Sequence, residues 1–386
     1  MSEGSDAYDA SRIQVLEGRE AVRKRPGMYV GATGERGLRQ LVFEAADRAV
    51  NEVLAGRASR VDVTLMPDGG VCVTDDGPGV PIDQAEGGGP ALEALLTRMG
   101  FGSGAGGRHD VTLGFCGVGP IVVNALSSRL TAEVQRDGVR WVQEYVRGVA
   151  VTPLTEAGPA TGTGTTLTFW PDAGIFTTSE FSFGALADRF RELAFLNRDL
   201  EISLTDRRCP PESVSVRFRS PNGARDFVAF LDGRTASPGD PGIIGFEWED
   251  PQMAGAVEVA LRWRDTDEER VQGFANSRPT DGGTHERGFR DGVAAAVNTY
   301  ARKRRLLAVT EPDLDADRIG VGLTAVVSVK LDAPEFHGAM RGVLGNAAVR
   351  ACVDQGVRDH LGTWLEGHPE RAAAVIDRIV HGAHRH

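Results

Sequence analysis

The stretch LVFEAADRAVNE, residues 41 to 52, decides the fold of this chain. Apolar residues recur with helical spacing between residues 36 and 56, and Gly56 ends the run. These apolar positions are Leu38, Leu41, Val42, Ala45, Ala49 and Val53. Glu44 and Arg48 stand four positions apart, so on a helix they share a face and can form an ion pair. Spacing alone therefore predicts an amphipathic helix with a surface salt bridge worth roughly a few tenths of a kcal/mol.

Arg48 also bears on metal binding and on catalysis. Hydrated Mg²⁺ requires oxygen ligands, and a guanidinium group has no acceptor to offer. An arginine paired with Glu44 would also make this carboxylate a weaker base. Position 48 is therefore not a metal ligand, and the residues predict no metal site.

Composition places the chain among soluble globular proteins with room for two cores. It has 386 residues, of which 41% are hydrophobic and 25% charged. Its four cysteines are widely spaced and form no CxxC motif, which argues against a disulfide framework and a zinc site. The polar start MSEGSDAYDA is unlike a secretory signal, and no apolar run has the length of a membrane span. We expect a cytoplasmic location and no membrane contact.

The net charge of −11 argues against a surface that wraps nucleic acid throughout. Two short basic clusters stand against this trend, at residues 23 to 25 (RKR) and 302 to 305 (RKRR). Such runs are usually solvated faces. The sequence leaves open a weak DNA contact at the second cluster.

A hairpin follows the helix and ends in a carboxylate. Residues 61 to 65 and 71 to 73 alternate apolar and polar side chains around the turn sequence PDGG, residues 67 to 70. The second strand runs into TDDGPGVP, residues 74 to 81. The glycines there allow a ligand to approach the backbone closely. We predict a binding residue at the end of this strand.

Residues 86 to 119 hold eleven glycines and end in GVG before an apolar run. Such a loop can cradle phosphate with backbone N–H groups. It is not a Walker A loop, because no GxxxxGK[ST] motif occurs. Taken alone, it is weak evidence for a nucleotide.

Taken together, these motifs resemble the N-terminal half of a bacterial DNA gyrase B protein or its topoisomerase IV counterpart. The resemblance runs in family order from about residue 8 to the end of the chain. It rests on IQVLEGREAVRKRPGMYVG (13 to 31), LVFEAADRAVNEVLAG (41 to 56), VTDDGPGVP (73 to 81), GVG with VVNALS (117 to 127), TGTTLTFWP (163 to 171), RELAFLNRDLEISL (191 to 204), GGTHERGFRDGV (282 to 293) and VVSVKL (326 to 331).

The resemblance implies an α+β chain with two domains. Residues 1–20 would be a dimerisation arm, and residues 21–220 a GHKL (Bergerat) ATPase domain, an α/β sandwich that binds ATP. Residues 221–386 would be a transducer domain with the ribosomal S5 domain 2-like fold. The chain ends at His386, about where a TOPRIM domain would begin in the family, so we expect that domain to be absent.

The resemblance also implies roles for individual residues. Glu44 matches the general base that activates water, and Asp75 the carboxylate that accepts a hydrogen bond from the adenine amino group. Thr165 supports Asp75, and Arg341 sits where a catalytic lysine contacts the γ-phosphate. The remaining nucleotide-binding positions, together with the arm residues that would reach a partner subunit, are Gly79, Pro81, Gly114, Gly117, Val118, Gly119, Arg136, Tyr8 and Ile13.

Departures from the family pattern gather at the γ-phosphate end. Arg48 replaces a Mg²⁺-binding asparagine, Cys116 replaces a histidine, and residues 102 to 110 lack the family's lysine, leaving Arg108 as their only permanent cation. The Gln-Thr-Lys motif reads AMR at residues 339 to 341. Beside the adenine pocket, Pro78 stands where an arginine is usual, which would remove a salt-bridge partner from Glu52.

These departures leave three hypotheses open. The first is the ATP-operated dimer gate of a type II DNA topoisomerase that acts with gyrase-type partner subunits. The second is a weakly or non-hydrolysing nucleotide-binding paralogue that forms homodimers or heterodimers through its arm and regulates a topoisomerase. The third is an ATP-using enzyme of other chemistry with Cys116 as nucleophile. Arg48 and Arg341 could themselves neutralise phosphate charge, so ATP binding is expected in each, while Mg²⁺ binding and ATP turnover stay open.

Overall fold

The computed structural model describes residues 18–86, 88–101, 108, 111–114, 117–233, 242–308, 310–338 and 342–381. Within this part the chain has mixed α+β structure, with one large sheet in its N-terminal part and a smaller sheet in its C-terminal part. No helix in these residues is long and apolar enough to span a membrane.

The N-terminal part packs helices against a large sheet. Its nine strands among the described residues run in the order β5-β4-β3-β7-β2-β1-β8-β9, with β6 paired to β4. The elements are α1 (Gly18–Lys24), α2 (Gly27–Val30), α3 (Glu35–Leu54), β1 (Val61–Leu65), β2 (Val71–Asp75), α4 (Ala91–Thr97), α5 (Ile121–Leu126), β3 (Ser127–Arg136), β4 (Val139–Val146), β5 (Val149–Ala150), β6 (Thr155–Pro159), β7 (Gly164–Pro171), α6 (Phe183–Leu196), β8 (Ile202–Asp206) and β9 (Val214–Phe218).

The C-terminal part has a five-stranded sheet in the order β10-β11-β14-β12-β13. Helices α8 and α10 pack against each other and, with α11, cover a second apolar core. Its elements are α7 (Ala224–Leu231), β10 (Ile244–Asp250), β11 (Gly255–Trp263), β12 (Arg270–Ala275), β13 (Arg278–Pro279), α8 (Thr284–Lys303), α9 (Ala316–Gly320), β14 (Leu323–Leu331), β15 (Phe336–His337), β16 (Val343–Leu344), α10 (Ala347–Gly367) and α11 (Pro369–His381).

Helix α3 is the predicted amphipathic helix. All six apolar positions of the predicted stripe are buried, each at most 3% exposed. They pack into one core with the inward side chains of β1 and β2, namely Val61, Val63, Leu65, Val71 and Val73. The predicted helix and hairpin are both confirmed. Their packing lays α3 across the end of β2, where Asp75 lies.

The two parts meet at an apolar cluster between α6, α7 and the smaller sheet. Phe195 at the end of α6 stacks on Phe227 of α7 with ring centroids 4.8 Å apart, and Phe227 contacts Phe274 of β12. The sequence predicts a domain boundary at residues 220 to 223, which here form the turn between β9 and α7. This cluster therefore connects the elements on either side of the predicted boundary.

Candidate functional site

The candidate site lies at the end of β2, where Asp75 faces the neighbouring strand β7. In the antiparallel register Asp75 is the partner of Thr165, and both side chains are buried. The Asp75 Oδ1 atom accepts a hydrogen bond from the Gly77 backbone N–H at 3.1 Å. The Thr165 hydroxyl accepts one from the Val80 N–H, also at 3.1 Å. Sheet pairing thus brings together two predicted binding residues that lie far apart in the sequence.

Glycines keep the backbone close on this side of the site. Gly164 has φ +150°, and a Cβ atom there would lie 2.2 Å from the Asp75 carbonyl oxygen. Gly79 has φ +78°, and its Cβ would lie 2.8 Å from the Gln135 carbonyl oxygen. The Nη1 atom of Arg136 donates to the Gly79 carbonyl at 3.1 Å. The predicted residues Gly79 and Arg136 therefore adjoin one another, and Pro81 lies exposed at the outer end of the same loop.

Arg48 reaches across from α3 to Asp75. Its Nη2 atom donates to Asp75 Oδ2, and its Nη1 atom lies 3.7 Å from Oε1 of Glu52. The side chains of Arg48 and Asp75 are only 16% and 1% exposed. Arg48 is therefore engaged by Asp75 and Glu52 in the interior, which corrects the expectation of a surface pair with Glu44. It also lies at the predicted adenine-binding carboxylate rather than at the phosphate end.

Glu52 keeps cationic partners although position 78 is a proline. Arg57, just after the end of α3, donates to Glu52 from Nε at 2.8 Å and from Nη2 at 3.1 Å. Arg48 approaches the same carboxylate from within the helix. The carboxylate of Glu52 is therefore paired with cations from positions 48 and 57.

Burial raises the pKa of the Asp75 carboxyl, and the charge of Arg48 opposes this rise. The hydrogen bond from Gly77 acts in the same direction as Arg48. Taking a carboxylate out of water is costly unless a partner compensates it. Arg48 is thus the main group that stabilises a charged Asp75 inside the protein.

The carboxylate of Glu44 lies against the glycine-rich segment. Glu44 is completely buried in α3, and a Cβ atom on Gly114 would lie 2.1 Å from its Oε1 atom. The close approach requires glycine at position 114. The structure therefore brings together the predicted catalytic carboxylate and the predicted phosphate loop.

Two polar residues of α3 that sequence reasoning missed hold this segment in place. Asp47 accepts a hydrogen bond from the Leu113 N–H at 2.8 Å. Asn51 accepts from the Val111 N–H at 2.8 Å and donates to its carbonyl at 2.9 Å. Their spacing on the helix face that carries Glu44 is the one sequence signal that could have revealed them.

The end of the glycine-rich segment turns sharply into α5. Gly117 and Gly119 have φ values of +59° and +92°, in the left-handed region that favours glycine. A Cβ on Gly117 would lie 2.9 Å from the Thr112 side chain. Val118 between them is partly buried against the core. The predicted loop of residues 117–119 thus follows directly on the segment that α3 holds.

Comparison with known proteins identifies the family. The profile of the family "DNA gyrase B" matches residues 223–386, and that of "Histidine kinase-, DNA gyrase B-, and HSP90-like ATPase" matches residues 33–175. The 43K ATPase domain of Thermus thermophilus gyrase B, solved in complex with an aminocoumarin, superimposes with a TM-score of 0.78 at 33% identity. The match covers 95% of this chain and 94% of that one. This chain belongs to the DNA gyrase B family.

Other relatives agree with this assignment. The DNA gyrase B protein of Streptomyces coelicolor is 44% identical over 99% of this chain, and the novobiocin-resistant DNA gyrase B protein of Streptomyces niveus is 42% identical over 98%. The chain spans 58% of the length of each. The topoisomerase IV ATP-binding domain of Francisella tularensis superimposes with a TM-score of 0.75 at 29% identity, covering 95% of this chain and 96% of that one. The predicted fold, a GHKL ATPase domain followed by a gyrase B transducer, is confirmed.

Several predicted gyrase B-type residues lie outside the described part of the chain. They are Tyr8 and Ile13 of the arm, Cys116, and Arg341 with its neighbours 339 and 340. In the segment from 102 to 110 the structure describes Arg108, whose guanidinium lies 3.4 Å from carboxylate oxygens of Glu249 and of Asp332. This cation therefore faces carboxylates of the transducer part.

Position 48 does not fit the Mg²⁺ ion that the gyrase B family pattern implies. Its guanidinium offers donors only, and it bonds to the carboxylate of Asp75. A cation beside Arg48 would meet like charge. No metal-ligating role follows for this position.

Proposed function

We propose that this chain binds ATP between Asp75 and residues 117–119 and acts as the ATP-operated gate of a gyrase-type topoisomerase. The observation that carries this proposal is the arrangement of three elements around one site. Strands β2 and β7 place Asp75 opposite Thr165, and α3 lays Glu44 across their ends against Gly114. A buried acceptor for a base and a glycine loop for phosphates thus flank one buried carboxylate.

In this proposal Asp75 and Thr165 recognise the base. A buried carboxylate and hydroxyl can fix a purine edge by hydrogen bonds, and burial strengthens such contacts. Gly79 and Pro81 shape the wall, while Arg136 lies at the mouth, bonded to the Gly79 carbonyl. The backbone N–H groups around Gly117, Val118 and Gly119 are the donors proposed for phosphate oxygens.

Glu44 is the proposed general base. It is fully buried, and its carboxylate lies beside the Gly114 backbone, next to the proposed phosphate loop. A base must lie within hydrogen-bond reach of the water it activates. Arg341 is proposed to supply positive charge from the transducer, as its position in the family pattern suggests.

ATP turnover is proposed to be slow. Phosphoryl transfer depends on positioning and on cations around the developing charge. Arg48 is committed to Asp75 and Glu52, and Arg108 to two transducer carboxylates. With these cations engaged elsewhere, transition-state stabilisation falls by several kcal/mol, on the order of 10³-fold in rate.

Dimerisation through the N-terminal arm and assembly with gyrase-type subunits are proposed from family membership. DNA is not proposed as a ligand of the basic cluster at residues 302 to 305. Arg302 binds Asp313, while Lys303 and Arg304 both bind Glu366. The comparisons do not favour the alternative of a non-hydrolysing regulatory paralogue over the gate.

Calorimetric titration with ATP and a non-hydrolysable analogue tests the binding site. We expect Asp75→Asn to weaken binding by roughly 10- to 100-fold, because a hydrogen bond to a charged acceptor is lost. Asp188→Asn is the matched control, since Asp188 is an exposed carboxylate of α6 paired with Arg191. Equal affinities for wild type and Asp75→Asn would show that the base binds elsewhere.

Turnover is tested separately from binding. Glu44→Gln should abolish residual ATP hydrolysis while leaving the affinity for the analogue within a factor of a few. Glu35→Gln, at the exposed start of the same helix, is the control and should hydrolyse ATP like the wild type. Undiminished hydrolysis by Glu44→Gln would remove Glu44 from the mechanism.

A further inference from the structure

Arg48 places hydrogen-bond donors beside Asp75, the carboxylate proposed to bind the base. Both oxygens of Asp75 already accept hydrogen bonds, Oδ2 from Arg48 and Oδ1 from the Gly77 N–H. The carboxylate is almost wholly buried, whereas part of the Arg48 side chain stays accessible. A base that enters therefore meets guanidinium donors beside the carboxylate acceptor.

Adenine and guanine differ in the group at position 6 that would face Arg48 and Asp75. The 6-amino group of adenine is a donor and needs a free acceptor, which Arg48 now occupies in part. The 6-oxo group of guanine is an acceptor, and its N1–H is a donor. A guanidinium suits the first of these groups and a carboxylate suits the second. In the major groove of DNA, arginine donating to O6 and N7 of guanine is also the commonest specific base contact.

The position of Arg48 is held from both sides. Glu52 lies 3.7 Å from its Nη1 atom on the same helix, and Glu52 is itself held by two hydrogen bonds from Arg57. Asp75 holds the other end of the guanidinium. Arg48 is therefore part of a chain of alternating charges and is not a surface side chain that drifts over the site.

We propose that Arg48 is a specificity-determining residue that admits guanine nucleotides to this pocket and reduces its preference for adenine. The proposal rests on the proposed nucleotide site, whose phosphate-binding residues would bind the triphosphates of ATP and GTP alike. It requires that Arg48 stays beside Asp75 when a nucleotide binds. If Arg48 turned towards the phosphates instead, the Asp75 carboxylate would be free to accept a hydrogen bond from the adenine amino group.

The test compares the affinities of the imido analogues of ATP and GTP by calorimetry for wild type, Arg48→Asn and Arg60→Asn. We expect the wild type to bind both analogues with similar affinity. Arg48→Asn should favour the ATP analogue by on the order of 10- to 100-fold, the discrimination associated with a well-paired base contact. Arg60→Asn is the matched control, because Arg60 is an exposed arginine paired with Asp62 outside the network that holds Arg48, and it should behave like the wild type.

The outcomes separate this inference from the proposed function. Equal ATP-to-GTP affinity ratios for wild type and Arg48→Asn would overturn the role of Arg48 while leaving the nucleotide site standing. A wild type that binds neither analogue, beside an Arg48→Asn variant that binds ATP, would overturn both the role of Arg48 and the binding of ATP by this chain, because Arg48 would then block the pocket. Absence of binding by all three proteins, with folding confirmed by circular dichroism, would overturn the proposed function itself.

Discussion

The Nζ atom of Lys330 on β14 lies 2.9 Å from Oδ1 of Asn197, just after the end of α6. Burial lowers the pKa of this lysine. The Asn197 amide also donates to the hydroxyl of the fully buried Ser277 at 3.0 Å, and Arg189 donates to the Ser277 carbonyl. Polar groups of four residues from the two domains thus satisfy each other inside the contact between them.

Lys330→Met should weaken this contact between the domains. The substitution keeps most of the apolar volume but removes a donor from Asn197, at a cost of about 1–2 kcal/mol. We expect scanning calorimetry to show unfolding of the ATPase and transducer parts as two more widely separated transitions. Lys303→Met, at an exposed lysine paired with Glu366, is the control. Coincident transitions in the Lys330 variant would mean that the apolar cluster alone couples the domains.

His285 should make the transducer sensitive to acid. It is completely buried at the start of α8, with Nε2 3.1 Å from the Thr280 hydroxyl and 3.9 Å from Oε1 of Glu286. Burial lowers its pKa to about 4 from the usual 6.5. Below pH 6.5 this histidine takes up a proton in the unfolded chain but stays neutral in the folded one. The contribution of His285 to the free energy of unfolding is therefore fully present above pH 6.5 and is lost as the pH falls to 4.

The acid-sensitive contribution is on the order of 3 kcal/mol. It is measured as the difference between wild type and His285→Gln in urea unfolding at about pH 7.5 and about pH 4.5, on either side of the window in which the unfolded histidine takes up its proton. We expect the wild type to lose more stability than the variant between these two values. A parallel loss in both proteins would place the acid sensitivity in other groups.

Gly164→Ala should distort the base-recognition point. Its φ of +150° is strained for alanine, and the new Cβ would meet the Asp75 carbonyl at 2.2 Å. We expect a loss of about 2–3 kcal/mol in the free energy of unfolding and weaker nucleotide binding. Gly162→Ala is the control two residues away, since its nearest contact would be the Gln135 side chain at 3.8 Å. A Gly164 variant as stable as this control would refute the close approach of β2 and β7 at this point.

Arg48→Asn should introduce a dependence on Mg²⁺. The substitution removes the guanidinium and supplies an amide oxygen, which is a suitable ligand for the ion. We expect wild-type affinity for a non-hydrolysable ATP analogue to be equal with Mg²⁺ and with EDTA. The variant should bind more tightly with Mg²⁺. A wild type that already needs Mg²⁺ for tight binding would show that Arg48 does not keep the ion out of the site.

The fold was predictable because its signals are local and repeat along the chain. The apolar period of α3, the alternation in β1 and β2 and the glycines before α5 each follow from neighbouring residues. Family motifs then supplied the domain order. The predicted core positions of α3 are all buried.

The partner of Arg48 was not predictable in the same way. Helical spacing reveals only neighbours on the same helix, so it suggested Glu44. Asp75 lies 27 positions away and comes near only when β2 packs beneath α3. The ion pair between Glu52 and Arg57 was not predictable for a similar reason. The chain must reverse at Gly56, with φ +70°, before the Arg57 side chain can reach Glu52. Side-chain reach across elements decided the details of the site.

The chain of alternating charges that runs from Asp75 through Arg48 and Glu52 to Arg57 couples four positions of the sequence energetically. Changing Arg48 alone to the family's asparagine leaves a buried carboxylate without its cation. Restoring the family's arginine at Pro78 alone adds a cation where Glu52 already has two. Each single substitution therefore changes the balance of charge around Glu52 and Asp75. The energetic cost of a substitution at one of these positions therefore depends on which residues stand at the others.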